Sequence, residues 1–318
     1  LLNHLYLALG TAHPRLFTYA WSDRSMRRLA LYLRRYRTGS VKSMFAYLYY
    51  VHRLAEFAGR APSDLLEAFR NRAEAKRVLE EWIGELQACG ASPNTVSLAL
   101  AAVKAWLRVN DVEAVDLLKP KVYVVHPDRA PRPEELERML AVSDLRTRAL
   151  IAFLASTGIR LGTALRLRYK HVKEDLEANR TPACVYVPAE LNKGKYTEHY
   201  TFMNAEAASL LKLYLEQRRR GSLDGDVPPE AVNDESPLFR AERTGEVRPL
   251  REKGAYKAIH AAIVKAGLTN TGGARVRPHS LRKYFKTQLT AAGVPYEYCL
   301  LYTSDAADDG ESVDLGGR

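Results

Sequence analysis

The feature that most constrains the fold is a proline-rich segment near the middle of the chain. The stretch AVDLLKPKVYVVHPDRAPRP, residues 114–133, contains four prolines and several bases but no helical period. Proline lacks the backbone donor that a helix interior or a central strand requires. Because 318 residues are enough for two separate cores, we interpret residues 115–133 as a linker between a domain at 20–114 and another at 134–300.

The first of these regions is predicted to be entirely helical. Residues 24–60 lack proline, and their apolar residues from Met44 to Ala58 recur at spacings of three and four, the period of an amphipathic helix. The sequence SPNTVSLALAAVKAWLRVN predicts a further helix, with Ser92 as its N-cap and Pro93 in its first turn. Both patterns indicate an all-helical domain.

The second region combines helices with one change of period. The stretch RTRALIAFLASTGIRLGTALRLRYKHV is typical of helix on both sides of a break at Thr157-Gly158. In contrast, ACVYVPAE and KYTEHYTFM, on either side of LNKG, indicate two strands of a hairpin that turns at Asn192-Lys193-Gly194. Helices are predicted again from EAASLLKLYLEQRRR onward. The chain is therefore predicted to be mainly α with a small β-hairpin or sheet.

The net charge of +11 indicates a polyanionic partner. Residues 304–318 hold five acids and one base, so the rest of the chain carries 47 bases against 32 acids, a net charge of +15. Such an excess favours nucleic acid, and a highly charged surface of the thermophile kind is the alternative. One helical stretch is especially basic, and we predict that its bases contact DNA phosphates. They are Arg24, Arg27, Arg28, Arg34, Arg35, Arg37 and Lys42.

Metal and membrane proteins are disfavoured by the same sequence. Cys89, Cys184 and Cys299 are far apart and show neither zinc-ligand nor disulfide spacing, and the histidines are scattered. We therefore predict no metal site and a reducing, cytoplasmic location. No apolar run approaches the ~20 residues that span a bilayer, so no membrane partner is expected.

Three short motifs carry candidate chemistry. In RPHSLRKYFKTQLTAAG, His279 and Arg282 are three residues apart at the predicted start of a helix, where they can bind an anion such as phosphate. Arg160 follows the break between two helices, and the sequence around it offers no nearby acid. Lys193 lies in the hairpin turn, with Lys195 two residues on, and a turn lysine can donate a proton to a leaving oxygen. Each motif alone is also typical of a solvated basic surface.

The order of these motifs resembles the tyrosine recombinase (phage integrase) superfamily. The motif T-G-I-R after a helix, a hairpin with a turn lysine, and H-S-L-R-K-Y-F at the start of a late helix follow one another, and the resemblance covers about residues 20 to 300. It implies an N-terminal helical core-binding (SAM-like) domain followed by an α+β catalytic domain. The sequence looks most like the integrases of archaeal viruses and plasmids, which are mobile elements.

The resemblance also implies a function, site-specific DNA recombination without a metal or other cofactor. In that chemistry a tyrosine attacks a DNA phosphodiester, which gives a 3′-phosphotyrosine and a free 5′-hydroxyl. Arg160, Arg282 and His279 would bind the phosphate. Lys193 would act as the general acid, with Lys195 as the alternate. The implied partners are double-stranded attachment-site DNA and further copies of the chain, in a tetramer on that DNA.

Several positions depart from the family pattern. Thr163 stands where the family commonly places an acid, three residues after the first arginine. The positions expected to hold a second histidine and the nucleophile are occupied by Asp305 and Asp314. We therefore expect this chain to lack the nucleophile segment and to be inactive by itself, with residues 303–318 as a non-native tail.

Other interpretations remain open. A type IB topoisomerase-like enzyme shares these catalytic residues but acts without pairing two sites. A non-catalytic, DNA-binding remnant of an integrase accounts for the missing nucleophile, if the tail is native. A plain helical protein with a basic surface is the interpretation that assigns no chemistry to the three motifs.

Overall fold

The computed structural model describes residues 14–36, 41–113, 127–192, 197–221, 228–241, 246–269 and 274–295. The chain divides into two compact units, residues 1–125 and 126–318, so the boundary falls within the proline-rich segment. The described residues are mainly helical and include a two-stranded antiparallel sheet, which confirms the predicted fold class. The assignment of the first unit to DNA binding and of the second to catalysis stays a prediction.

The first unit is helical throughout its described part. Its helices are α1 (Pro14–Ser22), α2 (Arg24–Tyr36), α3 (Val41–Ala58), α4 (Pro62–Ala68), α5 (Arg72–Ala88) and α6 (Pro93–Val109). The predicted apolar stripe of α3 is buried from Met44 to Ala55, and Ala58 is half-buried at its end. Ser92 is confirmed as the N-cap of α6, because its Oγ accepts the backbone N–H of Thr95 at 3.2 Å.

Asp23 determines where two helices of this unit begin. Its Oδ1 accepts the N–H of Ser25 at 2.8 Å and of Met26 at 3.0 Å, at the start of α2. Its Oδ2 accepts the N–H of Ser63 at 2.9 Å, at the start of α4. Burial raises the pKa of Asp23, but these hydrogen bonds outweigh it and leave the pKa below its usual value. One carboxylate therefore joins α2 to α4.

The second unit surrounds a small sheet with helices. Its helices are α7 (Pro133–Ala141), α8 (Leu145–Thr157), α9 (Leu161–Ala164), α10 (Lys173–Glu177), α11 (Ala205–Arg220), α12 (Glu252–Lys265) and α13 (Ser280–Ala291). Its strands are β1 (Ala183–Val187) and β2 (His199–Met203), and short 3-10 turns cover Tyr169–His171 and Ala189–Leu191.

Helix α8 lies at the centre of this unit. All residues from Ala149 to Ala155 are buried, which is expected for a helix that is apolar around its whole circumference. Helices α11 and α13 and strand β2 pack against it. The hydroxyl of Thr157, in the last turn, donates to the carbonyl of Phe153 at 2.7 Å. The site described below is built on the C-terminal end of this helix.

The sheet is attached to the same end of α8. Strands β1 and β2 pair antiparallel, with Ala183 opposite Met203. The inward-facing residues Ala183, Val185, Val187, Thr201 and Met203 are all buried. Thr201 Oγ1 donates to the carbonyl of Thr157 at 2.9 Å, which holds β2 against α8. The two predicted strands are present but shorter than the sequence indicated, because β1 ends at Val187 and β2 begins at His199. Their connection includes the 3-10 turn Ala189–Leu191 in place of a predicted strand end, and its residues 193–196 lie outside the described residues.

A buried ion network stabilises the irregular segment after α11. Arg218 Nη2 and Arg240 Nη1 donate to the two carboxylate oxygens of Glu230 at 2.6 and 2.7 Å, and none of the three side chains is more than 4% exposed. Burial raises the pKa of Glu230, but the two guanidinium groups outweigh it and leave the pKa below its usual value. Arg218 also donates to the carbonyls of Pro237 and Leu238, so the segment packs against α11.

Gly158 sets the contact between α8 and α13. It adopts a positive φ of 65°, and a Cβ at this position would lie 2.1 Å from Cδ1 of Phe285. The sequence predicts Leu281, Phe285 and Leu289 as a core stripe of α13. Leu281 is buried, whereas Phe285 and Leu289 are half-buried. The stripe is therefore only partly in the core, and Phe285 packs on the backbone of Gly158.

We expect Gly158→Ala to lower the free energy of unfolding by more than about 2 kcal/mol, because a side chain is strained at this φ and would displace Phe285. Gly162→Ala is the matched control, since this glycine lies in α9 with no atom within 4 Å of an added Cβ. There the free energy of unfolding should stay equal or rise by up to about 1 kcal/mol. Urea denaturation measures both, and equal losses would contradict the role of Gly158.

Candidate active site

A short backbone turn between α8 and α9 positions Arg160. Gly158 ends α8 in the left-handed conformation, as predicted from the break at Thr157-Gly158. Arg160 follows as the N-cap residue of α9, and its carbonyl accepts the N–H groups of Thr163 and Ala164, both at 2.9 Å. The direction of Arg160 is therefore set by the end of one helix and the start of the next.

His279 and Arg282 lie at the N-terminal end of α13. His279 is its N-cap residue, and Arg282 is in its first turn. Arg282 Nη1 donates to the carbonyl of Gly158 at 2.6 Å, across 124 positions of the sequence. This hydrogen bond brings the start of α13 to the turn that carries Arg160.

The three side chains line one cleft of about 310 Å³. The structure thus brings together Arg160, His279 and Arg282, which the sequence singles out in two distant motifs. Their catalytic roles stay predictions. The two other predicted residues, Lys193 and its alternate Lys195, lie outside the described residues.

The cleft also contains residues that the sequence analysis missed. Glu252 and Tyr256 project from the first two turns of α12, and Arg166 follows α9. Glu252 brings an acid to the cleft of Arg160, although no acid is near Arg160 in the sequence. Tyr256 is 46% exposed, and its ring stacks on that of His260. In the sequence, the feature that could have identified Glu252 and Tyr256 is their spacing of four residues, which places both on one face of a helix.

The electrostatics of the cleft favour a neutral His279. Partial desolvation is the largest cause that lowers the pKa of this imidazole below its usual value. The positive charges of Arg282, Arg160 and Lys283 lower the pKa further. Asp128, which pairs with Arg277 just before the helix, opposes them. A neutral imidazole can donate one hydrogen bond and accept another.

This arrangement is suited to a phosphate group. Each of the two guanidinium groups presents a planar fork of donors that matches a pair of phosphate oxygens. The N-terminal end of α13 adds the positive end of its dipole. Donors of this kind stabilise the additional negative charge that develops on a phosphodiester during nucleophilic attack.

The predicted DNA-binding residues of α2 share one face of that helix. The opposite, buried face consists of Ser25, Met26, Leu29, Ala30 and Leu33. At helical spacing, the residues on the outer face are Arg24, Arg27, Arg28, Arg34 and Arg35. Arg28 also forms an exposed ion pair with Asp111 at 2.9 Å. Lys42 is exposed at the start of α3, and Arg37 lies outside the described residues. Contact of this face with DNA stays a prediction.

The described ranges contain neither a cluster of metal ligands nor a membrane-spanning helix. Among those residues, no group of three or more His, Cys, Asp or Glu side chains is arranged to hold a metal ion. None of the described helices is both long enough and apolar enough to cross a bilayer. Cys89 and Cys184 are free thiols.

Two arginines and a histidine line one cleft of a mainly helical unit, an arrangement that can bind a phosphate group. Residues 131–298, more than half of the chain, match the phage integrase family, and the chain belongs to that family. A tyrosine recombinase XerC of Lactobacillus leichmannii is 31% identical over 149 residues, 47% of this chain and 43% of the relative. A tyrosine recombinase XerC of Shewanella sp. (strain W3-18-1) is 26% identical over 269 residues, 81% of this chain and 78% of the relative. The match thus spans less than half the length of the first relative.

Solved structures share the fold at lower sequence identity. A lambda integrase (75-356) dimer bound to a COC′ core site has a TM-score of 0.61 and 12% identity, over 92% of this chain and 96% of that chain. The XerH site-specific recombinase bound to its difH substrate has a TM-score of 0.54 and 20% identity, over 84% of this chain and 72% of that chain. These similarities establish the architecture.

We expect the imidazole of His279 to titrate below pH 6.5, because desolvation and three cationic neighbours disfavour its charged form. Asp128→Asn should move the midpoint lower, since it removes the carboxylate that raises the pKa. Lys283→Gln should move it higher, since it removes a positive charge. NMR titration of the ring nitrogens measures all three, with the signal assigned by its loss in His279→Gln. A midpoint above 6.5, or shifts of the same sign in the two variants, would contradict this electrostatic description.

Proposed function

We propose that the protein is a site-specific DNA recombinase that cuts and rejoins DNA strands through a 3′-phosphotyrosine intermediate. The observation that carries the proposal is the cleft in which Arg160, His279 and Arg282 meet. Membership of the phage integrase family supports it, and the relatives are described as tyrosine recombinases. The structural neighbours were captured with DNA, which is consistent with DNA as the substrate.

The proposed reaction exchanges one phosphodiester for another. A tyrosine hydroxyl gives up its proton, to His279 or to water, as its oxygen attacks the scissile phosphorus. The bond to the 5′-oxygen breaks, and that oxygen takes up a proton to become a hydroxyl. A 5′-hydroxyl from the partner strand then attacks the phosphotyrosine and releases the tyrosine. Arg160 and Arg282 stabilise the charge on the non-bridging oxygens, and His279 donates a further hydrogen bond or assists proton transfer. Lys193 protonates the leaving oxygen, with Lys195 as the alternate.

The proposal includes the partners of the reaction. The arginine face of α2, together with Lys42, contacts phosphates of the DNA backbone. The assembly is a tetramer on DNA, as the lambda integrase tetramer on a Holliday junction illustrates for that protein. The energy of the broken bond is kept in the covalent intermediate, so the reaction needs no cofactor. A cytoplasmic location and an archaeal virus or plasmid as the source stay predictions from the sequence.

We expect protein from the complete reading frame to form a covalent adduct with a nicked duplex that carries its attachment site. In a single-turnover assay, Arg160→Lys should slow adduct formation by about 10²-fold or more, because an ammonium group keeps the charge but loses the planar fork. Arg248→Ala is the control, since this exposed arginine pairs only with its neighbour Glu246 among the contacts described. Denaturing gel electrophoresis of labelled DNA measures the adduct.

The outcomes of this assay separate the alternatives. Binding to the site without any adduct would contradict the enzymatic proposal and favour a non-catalytic, DNA-binding integrase remnant. Adduct formation and strand rejoining without exchange between two sites would favour a type IB topoisomerase-like enzyme. An equal loss of rate in Arg248→Ala and Arg160→Lys would contradict the assignment of the cleft.

The arginine face of α2 has a separate test. We expect the combined change of Arg24, Arg27, Arg34 and Arg35 to Gln to weaken DNA binding and to reduce the slope of log Kd against log salt by about 3.6. The reason is that each phosphate contact releases about 0.9 counterions on binding, so each lost contact lowers the slope by that amount. Arg70→Gln with Arg77→Gln is the control, because both are exposed arginines of the same unit in local ion pairs. Fluorescence anisotropy at several salt concentrations measures the slope, and an unchanged slope would exclude this face.

A further inference from the structure

One backbone carbonyl links the turn of Arg160 to the hairpin. The carbonyl of Leu191 accepts the hydroxyl of Thr163 at 3.1 Å and also accepts Nη2 of Arg166. Thr163 is only 4% exposed, so its hydroxyl would be left unsatisfied in the interior without this acceptor. The two donors therefore tie α9 to the residue that ends the 3-10 turn Ala189–Leu191.

Arg166 is oriented for this contact by a second hydrogen bond. Its Nε donates to the carbonyl of Gly162 at 3.1 Å, one helical turn earlier. Because a guanidinium group is planar, the bonds from Nε to Gly162 and from Nη2 to Leu191 together fix the plane of the side chain. Arg166 therefore lies along the wall of the cleft with two of its donors committed to backbone oxygens.

The hairpin side of this link is also ordered by hydrogen bonds. Asn192, directly after Leu191, donates from Nδ2 to the carbonyl of Thr197 at 2.7 Å and contacts Nδ1 of His199 at 3.0 Å. Further along β2, Thr201 donates to the carbonyl of Thr157. The hairpin thus contacts the chain on both sides of Arg160, at Thr157 before it and at Thr163 after it.

We propose that Thr163 and Arg166 are positioning residues that hold the turn of Arg160 in register with the hairpin, an inference that rests on the proposed recombinase function. Thr163 stands three residues after Arg160, where the family commonly has an acid. A carboxylate cannot donate to a carbonyl, but a threonine hydroxyl can. In this chain the support of Arg160 is a clamp of two donors on Leu191.

Two roles for Arg166, a donor of the clamp and a ligand of a DNA phosphate, predict different effects of its loss. A ligand of a phosphate outside the reacting bond acts on DNA affinity, and its loss weakens binding and reduces the salt dependence. A positioning residue acts on the rate of adduct formation once DNA is bound. Removal of the other donor to the same carbonyl should therefore cause a similar loss of rate. Thr163, which is buried, provides that comparison because it carries no charge.

The test measures adduct formation and DNA binding separately in protein from the complete reading frame. Thr163→Val keeps the shape of the side chain and removes the hydroxyl, and should slow single-turnover adduct formation about tenfold, the equivalent of one hydrogen bond. The Kd for the nicked attachment-site duplex should change less than about twofold, since no phosphate contact is lost. Thr163→Ser restores the donor and should recover most of the rate. Thermal unfolding checks that each variant is folded.

Arg166→Met and the double variant Thr163→Val with Arg166→Met complete a double-mutant cycle. Arg166→Met should slow adduct formation to a similar extent, and the double variant should lose less than the product of the two single losses, because both donors serve one carbonyl. A wild-type rate in Thr163→Val would overturn the inference. So would a weakened Kd in Arg166→Met with an unchanged rate at saturating DNA, because that result assigns Arg166 to phosphate binding.

Hydrogen exchange gives a readout that does not require catalysis. In Thr163→Val, backbone amides should exchange faster both in residues 158–164 and in residues 189–203, whereas Thr163→Ser should match the wild type. Exchange that rises on one side only, or on neither, would overturn the clamp. Absence of an adduct with the wild-type protein would instead contradict the proposed function, and the exchange result would still decide the link between the two segments.

Discussion

The cleft depends on the hydrogen bond from Arg282 to the carbonyl of Gly158. This bond joins the end of α8 to the start of α13, and so joins the segment of Arg160 to that of His279. It requires glycine at position 158, because the positive φ and the ring of Phe285 leave no room for a Cβ. A charged donor on a backbone oxygen is among the stronger hydrogen bonds of proteins, so the two segments are held at a defined separation.

The rest of the second unit reinforces this junction. Strand β2 is attached to α8 through Thr201, and the hairpin is attached to α9 through Thr163, so the turn of Arg160 has a hydrogen-bonded neighbour on each side. Helix α8 is buried along most of its length, which makes it a rigid support for its own C-terminal end. A site that must bind a phosphate in its transition-state geometry needs such support, because small displacements of the donors reduce their effect.

The arginines of this chain lie in three different environments. The arginines of α2 lie on the outer face of that helix, with Arg24, Arg28 and Arg35 exposed and the others half-buried, and exposed cations can interact with many phosphates without a fixed geometry. Arg218 and Arg240 are buried and paired with Glu230, so their charges are balanced inside the fold and are not available to a ligand. Arg160 and Arg282 are intermediate, because they are half-buried beside a cleft. The net charge of the sequence does not distinguish these three environments.

Local period, caps such as Ser92, and glycine and proline positions were enough to predict the helices, the two strands and the motif at the start of α13. The motifs also identified Arg160, His279 and Arg282 as candidates. The folded chain was needed to show that these three meet in one cleft, that Glu252 joins them, and that the carbonyl of Leu191 accepts hydrogen bonds from Thr163 and Arg166. Such contacts join residues far apart in the chain, and no periodicity encodes which backbone oxygen a buried donor will reach.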